Sequence, residues 1–248
     1  MIKIQNLHYL YPDGTHALKE IDCFIPEGEF LLICGPNGSG KTTLIRLISG
    51  LFKPTRGSIH VNGLDTKNGS KEMRSLVGMV FQDPDSQIVG ETVREDIAFG
   101  PENLGLSEEE TRERVDGALQ IMGLKHLSEK PCYLLSGGEK RRLSIAGVIA
   151  MRPKIILFDE PFSFLDYPGI QEVLKHLVQL RRQGHTLLIA THDVEKVIAH
   201  VDRIAIIYKG ELKVTGPPEE IVPKLSGFGI RPPCYALLGK EKISWLNE

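Results

Sequence analysis

Cysteine, tryptophan and long apolar runs are all scarce in this 248-residue chain, and charges of the two signs nearly cancel. The four cysteines, Cys23, Cys34, Cys132 and Cys234, are scattered with no Cys-x-x-Cys pair. That spacing argues against a zinc site or a disulfide framework and fits a reducing compartment. No apolar stretch approaches the roughly 18 to 20 residues that cross a bilayer, and Met1 to Leu10 carries no signal-peptide pattern. Any membrane role is therefore expected to run through a partner. The 30 basic and 32 acidic side chains leave a formal net charge of -2, so no overall field recruits nucleic acid or anionic lipid. No internal repeat or low-complexity segment is visible. What remains is ordinary globular composition, 41% hydrophobic and 25% charged, expected to form one domain with appendages around a substantial core.

Within that composition, Gly35-Pro36-Asn37-Gly38-Ser39-Gly40-Lys41-Thr42 spells Gly-x-x-x-x-Gly-Lys-Thr, after the apolar run Phe30 to Cys34 and before an amphipathic one. This is the pattern of a nucleotide phosphate loop. Its backbone N–H groups must wrap round phosphate oxygens, and side chains would block that approach. Lys41 is expected to reach the β- and γ-phosphates of ATP, and the Thr42 hydroxyl to ligate Mg²⁺. Asn37, Gly38, Ser39, Gly40 and Thr43 belong to the same nucleotide-binding set.

The first thirty residues read as two short strands, Ile2 to Leu7 and Leu18 to Ile25, joined by a turn at Pro12-Asp13-Gly14 and implying a small antiparallel sheet. After the loop, Leu44, Ile45, Leu47 and Ile48 recur at helical spacing and Gly50 closes the segment; a further strand pair follows. From about Pro84 to Ala150 the pattern is helical, with Ser107 and Glu110 spaced as a capping box, and this stretch reads as an insertion. The remainder alternates strand and helix: Ile155 to Phe158, Ile170 to Arg182, Thr186 to Ala190, a short helix near Val194, then Arg203 to Tyr208. Such alternation implies a parallel sheet. Lys209-Gly210 predicts a hairpin into Glu211 to Thr215, and Pro217-Pro218 marks a boundary.

Two further clusters carry chemistry. Ile155-Ile156-Leu157-Phe158-Asp159-Glu160 places two carboxylates at the carboxyl end of a buried strand, where open α/β sheets bind ligands. Asp159 is positioned to hold Mg²⁺ through water, and Glu160 to polarise the water that attacks the γ-phosphate; read alone, the same residues could simply end a strand in a polar loop. Leu135-Ser136-Gly137-Gly138-Glu139 could likewise be no more than the capped start of the helix through Leu143, Ile145 and Ile149. Two glycines in a first helical turn nevertheless cost on the order of 1 kcal/mol each relative to alanine, which suggests close approach by an anion at a bare helix N-terminus.

Leu-Ser-Gly-Gly-Glu between a phosphate loop and an Asp-Glu strand resembles the signature of ATP-binding-cassette ATPases, over about residues 1 to 216. The resemblance implies an α/β fold: a P-loop NTPase core with a mainly parallel sheet, an N-terminal antiparallel β subdomain and an inserted α-helical subdomain at about 84–150. Tyr11 looks like the aromatic that stacks on adenine, Gln82 like the glutamine linking the Mg²⁺ site to the transmembrane partner, His192 like the switch histidine, and Asp166 like the aspartate that contacts the opposite subunit. Singly, Tyr11 reads as a turn residue, Gln82 as a surface amide and His192 as a loop histidine; their occurrence in the family's order favours the functional reading. The family pairs two ATPase domains head to tail, so Ser136, Gly137 and Gly138 would cover the partner's γ-phosphate. A homodimer and a heterodimer with a sister ATPase are both allowed. Glu139 replaces the usual glutamine, and Phe164 and Tyr167 stand where glycine and proline are common.

The stretches Phe81 to Gln87, Glu91 to Asn103 and Ile145 to Met151 are similar to the energy-coupling-factor importers. That branch implies a peripheral ATPase on the cytoplasmic face of the cell membrane. Its partners would be a transmembrane scaffold protein and a substrate-binding membrane protein, with no nucleic acid, and its cargo a micronutrient such as cobalt, nickel or biotin. The segment after Gln82 would supply the docking groove for scaffold helices. Residues 217–248, with Leu225, Phe228, Ile230, Tyr235, Leu237, Leu238 and Trp245, form an extension expected to contribute to the dimer contact. The alternatives are another transporter branch, a soluble cassette ATPase, which usually carries two cassettes or a long coiled coil, and a small-molecule kinase, which gives Ser136 no role.

Overall fold

The computed structural model describes residues 1–246. Strands β1 (Ile2–Leu10) and β2 (His16–Ile25) fold back on each other around a turn in which Asp13 Oδ1 accepts from Thr15 N at 2.8 Å. Next come β3 (Phe30–Cys34), helix α1 (Lys41–Ile48), β4 (Arg56–Val61) and the short β5 (Leu64–Asp65). Strands β2, β1, β4 and β5, in that order, make a four-stranded antiparallel sheet. Helix α2 (Lys71–Leu76) leads into β6 (Val77–Val80), which three helices follow: α3 (Val93–Asn103), α4 (Glu108–Ile121) and α5 (Gly137–Ala150). The chain then runs through β7 (Ile155–Asp159), α6 (Tyr167–Arg182), β8 (Thr186–Thr191), β9 (Arg203–Tyr208) and β10 (Glu211–Gly216). The short helices α7 (Pro218–Ile221) and α8 (Cys234–Leu237) come last.

The second sheet has six strands in the order β10-β9-β3-β8-β7-β6, all parallel except the β10 edge. Every residue of β3, β7 and β8 is buried, as expected of parallel strands covered on both faces. Alternation along β3 divides the core. Phe30, Leu32 and Cys34 join the cluster under α3 to α6, while Leu31 and Ile33 join the one under α1 and the antiparallel sheet. Burying each such aliphatic side chain is worth roughly 1.5–3 kcal/mol, against intrinsic strand preferences that span only about 1 kcal/mol, so burial decides the conformation here.

The expected alternation, hairpins and α/β architecture are present, with local differences. The region near Val194 forms turns rather than a helix: one five-residue turn, Ile198 N to Val194 O at 3.1 Å, overlaps two four-residue turns, Val197 N to Val194 O and His200 N to Val197 O. Its β-branched Val194, Val197 and Ile198 are drawn into the core, and such residues favour helices weakly. The Ser107 box closes only by half. Ser107 Oγ accepts from Glu110 N, but the Glu110 carboxylate is taken by Arg114 at 2.7 Å. The Lys209-Gly210 turn has positive φ at both residues, 52° and 82°, as a two-residue hairpin requires. Beyond Pro217, Leu225 and Ile230 enter the main core while Leu237 and Leu238 stay exposed.

Gly35 is fixed by its surroundings, because an added Cβ would lie 2.1 Å from Ile207 O, whereas at Gly38 it would meet nothing within 4 Å among the described residues. Gly35→Ala is expected to lower the melting temperature far beyond the cost of Gly38→Ala. The latter bears only left-handed strain of about 1–2 kcal/mol, roughly 2–4 °C per kcal/mol in a chain of this size. Thermal unfolding of the two variants checks this.

Candidate functional site

Three neighbouring parallel strands end side by side. Register pairs Cys34 with Thr191 and Asp159 with Ala190, so the loop after β3, His192 after β8 and Glu160 after β7 emerge at one level, at the carboxyl edge where such sheets bind ligands. They enclose a cleft of about 640 Å³ whose lining includes Tyr11, Asn37, Gly38, Ser39, Gly40, Lys41, Thr42, Thr43, Gln82, Glu160 and His192. Asp159 lies just behind this wall, accepting from Thr42 Oγ1 at 2.9 Å.

Within the loop, Lys41 Nζ donates to the carbonyls of Gly35 and Pro36 at 2.8 and 3.1 Å. Burial pushes its pKa down, against the attraction of Glu160, Cys34 and Asp159. Ser39 Oγ is buried with no hydrogen-bond partner among the described residues, a donor suited to an anionic oxygen. The glycine-rich backbone, the cation and the unpartnered hydroxyl together fit a phosphate group.

Opposite, the Glu160 carboxylate accepts from Thr191 Oγ1 at 2.7 Å, His192 N at 3.1 Å and His192 Nδ1 at 2.8 Å. Glu160 has φ +46°, a left-handed backbone that is costly for a side-chain-bearing residue and that concentrates at functional positions. Asp159, 2% exposed, has only the Thr42 hydroxyl as a direct side-chain partner among the described residues. Burial raises its pKa, the Thr42 bond opposes this, and the Glu160 charge adds to it. An oxyanion pair so close to a threonine hydroxyl suits a hard divalent cation such as Mg²⁺.

Such a constellation matches known proteins. The family model described as ABC transporter matches residues 18–163. The chain belongs to this family. Among curated relatives, the energy-coupling factor transporter ATP-binding protein EcfA of Methanocaldococcus jannaschii is 42% identical over 89% of this chain and 80% of its own length. EcfA2 of Caldanaerobacter subterraneus is 42% identical over 97% and 88%. Among solved structures, cbiO1 from Clostridium perfringens, described as part of the ABC transporter complex cbiONQ, superposes with a TM-score of 0.82 at 39% identity, covering 96% of this chain and 98% of that one. A dimeric ATP-binding cassette bound to ADP and Pi gives 0.80 at 31% identity, covering 88% and 99%. The chain is thus an ABC ATPase of the energy-coupling-factor type, which binds ATP and couples its hydrolysis to transport.

Not every expected residue of this ABC ATPase meets in the cleft. Ser136, Gly137 and Gly138 are outside it at the start of α5, where Ser136 and Glu139 do form a capping box. The Ser136 N–H holds the Glu139 carboxyl below its ordinary pKa. Asp166 is also outside, capping α6 by accepting from Gly169 N at 3.0 Å. Tyr11 lines the cleft, its hydroxyl 2.9 Å from Thr43 Oγ1 and its ring set edge-on to Tyr9 and Phe52. Phe164 stands exposed with φ +63°, which explains why glycine suits this position. Sequence reasoning missed Thr15, His16, Ala17, Lys209 and Gly210 as lining residues. The hairpin at Lys209-Gly210 was a readable signal, but its bond from Lys19 N to Gly210 O at 2.7 Å crosses between the two sheets.

Because the folded chain holds the Asp159 proton more tightly than the unfolded chain, this group's contribution to stability falls as pH rises through the ordinary value of 3.8. The loss is complete above the raised pKa. Asp159→Asn is expected to melt a few degrees higher than the parent at neutral pH, the scale of about 1 kcal/mol. The gap should close once the pH drops below the ordinary value, and hydrolysis should be lost. Melting curves across pH together with phosphate release test both halves.

Proposed function

We propose that this chain powers uptake of a micronutrient such as cobalt, nickel or biotin, as the peripheral ATPase on the cytoplasmic face of the membrane. The observation that carries the chemical part is the pairing of Thr42 with Asp159 at 2.9 Å and of Glu160 with His192 at 2.8 Å on one cleft with Lys41. Lys41 binds the β- and γ-phosphates, and the loop N–H groups cradle them. Thr42, Asp159 and Gln82 would hold Mg²⁺. Held there, the ion would supply positive charge against the negative charge that develops on the phosphate oxygens. Glu160 orients the attacking water and accepts its proton, and the His192 imidazole holds that carboxylate in place. Tyr11 offers its ring to adenine.

Ser136, Gly137, Gly138 and Asp166 serve a second ATPase chain, identical or a sister, paired head to tail. The tail adds to that contact through the exposed Leu237 and Leu238. Deleting everything beyond Pro217 would also strip Leu225 and Ile230 from the core, so point changes at Leu237 and Leu238 are the cleaner probe. Partners in the membrane are a scaffold protein and a substrate-binding protein. A groove of about 600 Å³, with Phe81, Gln87, Phe99, Gly147 and Met151 among its walls, supports scaffold docking beside the segment that follows Gln82. Phe99 is 52% exposed there.

Glu160→Gln is expected to slow hydrolysis by about 10²-fold or more while sedimentation shows a stable dimer in ATP and Mg²⁺; a monomer that still transfers phosphate would point to a kinase. Leu237→Ser with Leu238→Ser should weaken that dimer without shifting the melting temperature. Phe99→Glu should abolish co-purification of a scaffold and a small substrate-binding protein from native membranes, identified by mass spectrometry, and leave hydrolysis by the isolated chain intact. Recovery of soluble partners alone with the unaltered chain would reject the importer.

A further inference from the structure

Arg141 is 1% exposed, the largest of the fully buried side chains, and among the described residues it has no carboxylate partner. Its Nη1 donates to Phe81 O at 2.6 Å and its Nη2 to Gln82 O at 2.5 Å, while Nε finds no partner among the described residues. Burial pulls its pKa down to about 10, with Asp83 and Asp159 attracting the charge in the other direction. The guanidinium therefore stays charged at neutral pH. As a stability device this is a poor choice, since an apolar side chain of similar volume commonly replaces a buried charge without loss. What the charge does is grip the backbone of two successive residues, one of them Gln82, whose side chain lines the catalytic cleft.

Arg141 is not alone. Lys140 Nζ bonds Asp85 Oδ1 at 2.6 Å, Gln87 Nε2 donates to Ser144 O at 3.0 Å, and Gln87 Oε1 accepts from Phe81 N at 2.9 Å. Residues 81–87 are thereby fastened to the first two turns of α5. One connected body carries the Ser136 cap at one end, Gln82 in the cleft and, through Phe81, Gln87 and Gly147, a wall of the apolar groove. Within that body Arg141 is the fastening nearest to Gln82.

We propose that Arg141 is a positioning residue that sets Gln82 at the metal side of the cleft, so that displacement of α5 or of the groove reaches the hydrolytic site through this guanidinium. The inference rests on Gln82 serving the Mg²⁺ site. Charge-assisted bonds to two carbonyls suit the task because they fix the backbone in two places with one planar group.

Steady-state ATP hydrolysis by the purified full chain, titrated with Mg²⁺ and with ATP and normalised to folded protein, tests it with Arg141→Met, Arg141→Lys, Gln82→Ala and the Arg141→Met/Gln82→Ala double variant. Arg141→Met is expected to lower kcat and raise the Mg²⁺ midpoint by about tenfold, as loss of a group that orients a metal ligand does, with KM for ATP little changed. Arg141→Lys should recover part of both. In the Gln82→Ala background, Arg141→Met should have no further effect. An unchanged kcat and Mg²⁺ midpoint per folded molecule, or effects of the two substitutions that simply add, would overturn the inference. If Arg141→Met does not fold, an Arg141→Lys Mg²⁺ midpoint equal to that of the parent overturns it instead. A Gln82→Ala variant with parental kcat and midpoint would reject the reading of Gln82 itself, a distinct outcome.

Discussion

Everything at the site depends on the register of three parallel strands. Pairing of Cys34 with Thr191 and of Asp159 with Ala190 brings the phosphate loop, His192 and the two carboxylates to one edge. A slip of one residue would turn every side chain of the slipped strand to the opposite face, carrying Asp159 away from Thr42. The register is held by burial on both faces of the sheet, where no residue of the three strands is more than 2% exposed. The ladder even continues past the strand end: Glu160 N donates to Ala190 O at 2.8 Å before the chain turns through its left-handed φ.

That edge concentrates unfavourable groups. Lys41, Asp159 and Glu160 are 6%, 2% and 9% exposed, and the Glu160 backbone adds strain of about 1–3 kcal/mol. The three charges are satisfied unequally. Among the described residues Lys41 has two carbonyls and Glu160 has three donors, but Asp159 has one side-chain hydroxyl. This inequality accounts for the upward shift of Asp159, since one hydrogen bond does not offset its desolvation. The surrounding core tolerates the cost because each fully buried Leu or Ile contributes on the same scale. The site is thus kept under tension by the packing beneath it, and a group that gathers charge there relieves rather than disturbs it.

How much of this was legible in the sequence follows from how local each signal is. The phosphate loop, the Asp159-Glu160 strand end and the Lys209-Gly210 hairpin are written in contiguous residues, and all three lie where the pattern put them. The order of Tyr11, Gln82 and His192 placed them in one cleft, although their side chains come from separate loops. Competition for a side chain was not legible. Glu110 prefers Arg114 to Ser107, and the turns after His192 bury β-branched residues at the expense of a helix. Nor did any local pattern mark Arg141, one of two adjacent arginines in a polar-looking run, as the one drawn into the interior; that choice is made by carbonyls sixty and fifty-nine positions away.

Glycine separates what the chain needs for itself from what it offers outward. Gly35 and Gly40 are required by close contacts within the fold, because a Cβ on either would lie under 3 Å from backbone oxygen. Gly137 and Gly138 are different: among the described residues a Cβ on either would meet nothing within 4 Å. Alanine at both would fit the isolated chain and favour the helix by on the order of 1 kcal/mol per residue. The bare first turn of α5 therefore has no explanation in the packing of one chain. It is capped by Ser136 and Glu139, fastened through Arg141 to the loop that bears Gln82, and lies outside its own cleft. An open, rigidly mounted helix start of this kind supports the reading that its ligand is the γ-phosphate held by a second ATPase.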